Sequence, residues 1–382
     1  MEYFVTEIQI GKLRHLSNIR IELNHQKCTN LLLTGKNGSG KTTVLHAMKN
    51  YLVAINQGLF ADFETTAIND NNYGLRVAFN KTVGIDEAYA GGRFLTAFYS
   101  ADRKIGIVKQ KDIEAVTLST SYPLESNPGN VLLKYLVHLK TQQAYARNEG
   151  DMVVVQMLDE WFERFTNALK VLLDNQTIKL KYDYKNYDFQ IIENGEKVFG
   201  FDQLSDGYSA AIQIVADLIL RMERNWLKRG VLSTYDVEGL VMIDELETHL
   251  HISLQRKILP FLVEFFPKIQ FIVSTHSPYI LNSIEDCIIY DLEKNIRMEN
   301  MSGYSAEGIV EGYFEYDSYS DILLKKVKRY ETLVNLKNPT EEERAERAKT
   351  LIELKQLSGD LSKEAKSAFE EIEQKRKSYG KI

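Results

Sequence analysis

Eight consecutive residues, Gly35-Lys36-Asn37-Gly38-Ser39-Gly40-Lys41-Thr42, follow the pattern G-x-x-x-x-G-K-[ST]. Glycines at this spacing let successive backbone N–H groups converge on one anion, and a helix that starts immediately after adds its positive end. Lys41 is placed to reach the terminal phosphates of a nucleotide, and the Thr42 hydroxyl suits Mg²⁺. Leu240-Val241-Met242-Ile243-Asp244-Glu245 is an apolar run that ends in two acids. Asp244 is the metal candidate, and Glu245 the candidate for polarising an attacking water. Phe271-Ile272-Val273-Ser274-Thr275-His276 ends a second apolar run in an imidazole, suited to a γ-phosphate and its water. Leu204-Ser205-Asp206-Gly207-Tyr208 opens a helix, where Ser205, the Gly207 backbone and the helix N-terminus form another anion site. Taken alone, that last segment reads as an ordinary N-cap. The phosphate-binding set is therefore Gly35, Lys36, Asn37, Gly38, Ser39, Gly40, Lys41, Thr42 and Thr43; the metal pair is Thr42 and Asp244.

These residues need elements that bring them together. Phe4 to Ile10 and Ile19 to Leu23 alternate as half-buried strands do. Leu31-Leu32-Leu33 is continuous, as expected of a strand buried on both faces, and it runs straight into the glycine-rich turn. Thr43 to Ile55 has helical spacing, with Val44, Leu45, Met48, Leu52 and Val53 near one face. A helix is expected from about Tyr208 to Arg224, and strands at Gly239–Ile243 and Gln270–Ser274 with a helix between them. The stretch 59–195 reads as an insertion between two halves of one domain. It holds β-rich residues around Arg93–Tyr99, a helical section from Val131 to Leu173 and a hairpin from Ile178 to Ile192. The division is thus 1–58 and 196–315 for the two halves of the core, 59–195 for a partly helical insertion, and 316–382 for a charged helical tail. Within the tail, Thr340 and Glu343 have the spacing of a capping box.

Bulk properties narrow the class. The 382 residues are 44% hydrophobic and 26% charged, with a net charge of −6, so no strongly basic nucleic-acid-wrapping surface is implied. Two distant cysteines, Cys28 and Cys287, make neither a zinc ribbon nor a disulfide scaffold. No signal-like start and no long uncharged apolar stretch are present, so a cytoplasmic protein without a membrane span is expected. His249 and His251 beside Glu245 and Glu247 could form a zinc set, but Glu245 has its place in the phosphate chemistry. Asp291, Glu293, Asp317 and Asp321 lack the pattern of a TOPRIM nuclease, and the histidine-free tail offers no HNH site.

The four elements occur in the order P-loop, signature, Walker B, switch histidine. This order resembles the ABC-type ATPases that include RecF, the Rad50/SMC heads and the OLD-like enzymes. Asp244-Glu245-Leu246-Glu247-Thr248-His249-Leu250-His251 resembles the DE-x-E-x-H-L-H form of prokaryotic AAA15/AAA21 ATPases, and Leu13-Arg14-His15-Leu16 fits the same group. The resemblance covers residues 1 to about 315. It implies an α/β P-loop NTPase fold with an ABC-type head, a mixed sheet lobe, a helical insertion and a helical tail. It further implies ATP and Mg²⁺, hydrolysis by Glu245 and His276 with Lys41, and a homodimer or higher oligomer in which Ser205 and Gly207 act in trans. The signature departs from LSGGQ: Asp206 stands for a glycine and Tyr208 for the glutamine. Gln110 is the candidate for the Q-loop, and Tyr99–Arg103 resembles a sensor segment.

ATPases of this kind resemble the sensor halves of anti-phage systems such as Septu or PARIS, which control a separate nuclease. The expectation is such a nucleotide-driven switch. A DNA-binding repair ATPase of RecF or Rad50 type is the alternative, with DNA as a possible partner. A transporter subunit fits least, given the missing LSGGQ, the long insertion and the helical tail.

Overall fold

Five of the described strands are buried along almost their whole length, as strands covered on both faces are. The computed structural model describes residues 1–57, 74–102, 115–223, 237–299, 301–313, 321–336, 339–356, 371–372 and 374. It divides into two compact units, Met1–Tyr304 and Ser305–Ile382. In the first, β1 (Val5–Leu13) and β2 (Leu16–Glu22) form an antiparallel hairpin, followed by β3 (Asn30–Thr34) and α1 (Lys41–Asn56). Then come β4 (Leu75–Phe79), the short α2 (Ile85–Ala90) and β5 (Phe94–Tyr99). A helical hairpin, α3 (Leu132–Asn148) and α4 (Met152–Leu172), leads into a small antiparallel sheet of β6 (Lys179–Asp183), β7 (Asp188–Glu193) and β8 (Lys197–Gly200). The chain returns through α5 (Asp206–Met222), β9 (Glu238–Ile243), α6 (Ile252–Phe265), β10 (Ile269–Ser274), α7 (Pro278–Leu281), β11 (Cys287–Asp291) and β12 (Ile296–Met298).

The central sheet has the order β12-β11-β3-β10-β9-β5, with five parallel strands and an antiparallel edge at β12. A second sheet, β2-β1-β4, is antiparallel. Helix α1 lies between the two. Its Val44, Leu45, Met48, Tyr51 and Leu52 share one core with Leu31, Leu33, Met242 and Ile272 of the central sheet and with Ile8, Ile10 and Ile21 of the hairpin. Side chains alternate across a strand, so Leu32, Val241, Ile243 and Val273, all fully buried, face the other side.

The boundary at residue 59 cuts through the core, because β4 pairs with β1 and β5 pairs in parallel with β9. Phe94–Tyr99 was legible as β-rich, but its partner lies far along the chain. The helical section Val131–Leu173 is two helices broken at Glu149–Asp151, where Asp151 Oδ1 accepts from Val154 N and starts α4. The expected Gly239–Ile243 and Gln270–Ser274 strands are β9 and β10.

The second unit begins at Ser305, earlier than the tail boundary drawn at residue 316. Its α8 (Asp321–Val334) and α9 (Glu341–Gln356) bury Tyr330, Val334 and Leu354 together with Ile372. The capping box forms, with Glu343 N donating to Thr340 Oγ1 at 3.2 Å and Thr340 N to a Glu343 carboxylate oxygen at 2.8 Å. No described helix is long and apolar enough to cross a membrane.

One buried acid gives this fold a pH dependence. Glu223, at the end of α5, is 1% exposed and accepts from Trp161 Nε1 of α4 at 2.7 Å. Burial pushes its carboxyl from 4.5 up to about 7, against the opposing pull of Trp161 and Arg164. Below the unfolded value both states are protonated. As pH rises toward the folded value the unfolded chain ionises first, so stability falls. Glu223→Gln is expected to raise stability at pH 8 by on the order of 2–3 kcal/mol and to do much less at pH 5. Urea unfolding at the two pH values reads this directly; an equal gain at both would show that charge burial is not the cause.

Candidate functional site

In an open α/β sheet, ligands bind beyond the carboxyl ends of the strands. Here those ends carry the chemistry. β3 ends at Thr34, before the glycine turn; β9 ends before Asp244-Glu245; β10 ends before Thr275-His276; β11 ends at Asp291. The strand ends are tied together by backbone bonds from Thr275 N to Leu33 O and from Leu292 N to Thr34 O.

The turn needs its glycines. Gly35, Gly38 and Gly40 have φ of 128°, 85° and 102°, a region L side chains rarely adopt. A Cβ on Gly40 would come within 2.8 Å of Leu16 Cδ1, because the turn packs on the β1–β2 connection. His15 Nε2 lies 3.2 Å from Ser39 O, which gives the Leu13–Leu16 segment its structural place. Lys41 is 6% exposed, and its ammonium donates to Gly35 O at 2.7 Å and Lys36 O at 3.1 Å. Burial lowers its pKa, opposed by the carboxylates of Glu245, Glu247, Asp244 and Asp291. Two residues that the pattern did not single out hold the turn from outside. Glu293 accepts from Lys36 N and Lys36 Nζ, the latter at 2.9 Å, and Asp291 Oδ1 accepts from Glu293 N and Lys294 N. Lys36, Asn37, His15, Leu16, Leu292 and Asn295 border a cleft of about 470 Å³ beside the turn.

Asp244 is 1% exposed. Its Oδ1 accepts from Thr42 Oγ1 at 3.2 Å and from Ser274 Oγ at 2.5 Å, and its N–H donates to Tyr99 O at 2.8 Å. Ser274 also accepts from Glu245 N at 2.8 Å. Glu245 has φ 45°, a left-handed conformation that costs a non-glycine residue on the order of 1–3 kcal/mol. Its Oε2 accepts from Thr248 Oγ1 at 3.3 Å. His276 is half exposed, with Nδ1 3.2 Å from Glu247 Oε1.

The arrangement fits a nucleotide and Mg²⁺. Ser39 Oγ is buried inside the turn with no hydrogen-bond partner among the described residues. Thr42 and Asp244 offer two hard oxygens at hydrogen-bond separation, the donor type Mg²⁺ takes. No described group of three or more His, Cys, Asp or Glu side chains is placed to hold a metal, so such an ion would draw its other ligands from phosphate and water.

The signature segment lines a separate pocket of about 280 Å³ with His249, His251 and Leu254. Ser205 is the N-cap of α5, but its side chain makes no cap bond, and the helix starts at Asp206 rather than Tyr208. Gly207 is required by a close approach: a Cβ there would sit 2.5 Å from His249 O. Gly207→Ala is expected to cost about 1–3 kcal/mol, read as a lower melting temperature; an unchanged melting temperature would mean the two segments separate freely. Gln110 and Arg103 lie outside the described residues.

Helix α5 is bound to the carboxyl edge of the central sheet through a buried network that has no local sequence signature. Asp217, fully buried, accepts from Tyr99 Oη at 2.5 Å, Gly129 N at 3.1 Å and Arg221 Nε at 2.7 Å. Arg221 donates onward to the carbonyls of Thr96, Tyr122, Pro123 and Ser126. Tyr99 thus carries both the Asp244 backbone bond and the link to α5. Burial raises the Tyr99 pKa well above its ordinary value, and the adjacent Asp217 charge adds to this.

Fold, motif order and site geometry resemble those of ABC-type P-loop ATPases. Residues 142–282 match a family model described as "AAA domain, putative AbiEii toxin, Type IV TA system". The chain is 26% identical over 403 residues to "Septu protein PtuA" of Bacillus mycoides (strain KBAB4), an alignment that covers 97% of this chain and 52% of that protein. It is 25% identical over 279 residues to "Retron Vc95 probable ATPase" of Vibrio cholerae serotype O1 biovar El Tor, covering 70% of this chain and 51% of that one. The chain therefore spans about half the length of these relatives. Among solved structures, the SMC head domain from Thermotoga maritima matches with a TM-score of 0.38 and 13% identity, over 75% of this chain and 94% of that one.

Proposed function

We propose that this chain binds and hydrolyses ATP at a site shared between two copies, and that closing and opening of that site switches a separate effector. The observation that carries the hydrolysis is the convergence of Lys41, Thr42, Asp244, Glu245 and His276 on one edge of the sheet. In this reading the turn from Gly35 to Thr43 cradles the triphosphate and Lys41 leaves its two carbonyls for the β- and γ-oxygens. Thr42 and Asp244 would hold Mg²⁺, which when bound would offset phosphate charge. Glu245 takes the proton from the attacking water, and His276 contacts the γ-phosphate. Ser205 and Gly207, in a pocket of their own, serve the nucleotide of the second copy, which makes a homodimer or larger oligomer the working unit.

The likeness to a Septu protein and to a retron ATPase supports a role in anti-phage defence, with a nuclease as the separate effector. The charged helical unit from Ser305 onward offers a surface for such a partner. Two measurements test the proposal. ATP hydrolysis should fall at least a hundredfold in Lys41→Ala, given the part such a lysine plays in stabilising phosphoryl transfer. Light scattering should show ATP-dependent growth in mass for the parent chain. Equal turnover in Lys41→Ala sinks the hydrolysis; a mass that ignores ATP sinks the shared site.

A further inference from the structure

We propose that Glu247 is the positioning residue of the hydrolytic site: it holds His276 with its outer ring nitrogen turned to the nucleotide. The inference rests on the reading of this edge as the place of ATP hydrolysis. One carboxylate oxygen, Glu247 Oε1, accepts from the His276 backbone N–H at 2.7 Å and lies 3.2 Å from His276 Nδ1. It therefore fixes the main chain and the ring of the same residue. A carboxylate at Nδ1 keeps a proton there and leaves Nε2 on the outer side of the ring. Glu247 is 8% exposed, whereas the His276 side chain is 44% exposed, as expected of a buried holder and a presented tool.

The neighbouring acid does a different job. Glu245 is turned by its left-handed backbone and accepts from Thr248. The segment between Glu247 and His276 is tied at further points: Leu250 N donates to Glu247 O, Gln255 Nε2 donates to Leu250 O, and Ser277 Oγ donates to Gln255 Oε1 at 2.6 Å. Packing does not account for the acid. Glu247 Oε2 is buried without a hydrogen-bond partner among the described residues, and such an oxygen costs stability.

The test is a double-mutant cycle on steady-state MgATP hydrolysis, with Glu247→Gln, His276→Ala and the double variant. Glu247→Gln retains an oxygen for the His276 N–H but loses the charge. It should lower kcat by about tenfold to a hundredfold and leave KM within about threefold. In the His276→Ala background the same change should alter kcat by less than about twofold. If the two losses multiply, or if Glu247→Gln turns over like the parent, the inference is wrong. Should Glu247→Gln melt below the assay temperature, Glu247→Asp takes its place in the same cycle. Lys41→Ala measured alongside separates the cases: full activity there removes the hydrolysis reading, while a dead Lys41→Ala with independent Glu247 and His276 removes only this one.

Discussion

Glu245→Gln is expected to bind ATP as the parent does while its turnover falls by about two to three orders of magnitude. The substitution is nearly isosteric and keeps an oxygen for Thr248 Oγ1 and the backbone bond to Ser274 Oγ. What disappears is the basic oxygen. The backbone around Glu245 is held in a conformation that a general loop acid would relax out of, with φ 45°, and strain of this kind collects where a side chain must be aimed. A nucleotide-binding assay with a single-turnover measurement separates binding from chemistry. The ATP-bound variant should also persist in the larger species. Hydrolysis at the parent rate would move the base away from Glu245.

Asp217→Ala should be the most damaging change for stability, at about 3–5 kcal/mol. Its partner Arg221 is 4% exposed, so removal of the carboxylate strands a charge in the interior, and Tyr99 Oη and Gly129 N lose their acceptor. Replacement of both members by apolar residues, Asp217→Leu with Arg221→Met, should be milder than Asp217→Ala alone, since no charge is then left without a counterpart. Urea unfolding of the three chains decides. If the double variant is the least stable, the pair contributes more than mutual neutralisation.

The sequence was most readable where a local pattern implies a local structure. Leu31–Leu33, the glycine turn and α1 are contiguous, and β9, β10 and the start of α5 each announce themselves within ten residues. Readability failed where meaning depends on a distant partner. Phe94–Tyr99 is a sheet strand only because Glu238–Ile243 lies beside it. Asp217 and Arg221 have the spacing of an exposed helix pair, and nothing local reveals that β5 and the 122–129 segment enclose them. Glu247 was visible only as one acid among several near two histidines; its tie to His276 crosses 29 positions. Asp291 and Glu293 fit no nuclease pattern in the sequence, and their place is at the outside of the glycine turn.

The α3–α4 hairpin has a mechanical consequence. Trp161, midway along α4, is fastened to Glu223 just beyond α5, and the Asp217–Arg221 network fastens the same helix to the strand end beside Asp244. Helix α3, of 17 residues, is about 25 Å long, and its far end carries exposed Tyr145, next to Met152 and Val153 at the start of α4. The arm from Trp161 to Met152 spans nine residues, about 14 Å, so a rotation of roughly 10° moves its tip by about 2 Å. A small tilt of the helix that carries Ser205 and Gly207 would thus be carried to Tyr145, Met152 and Val153, three exposed apolar side chains at the tip of the hairpin.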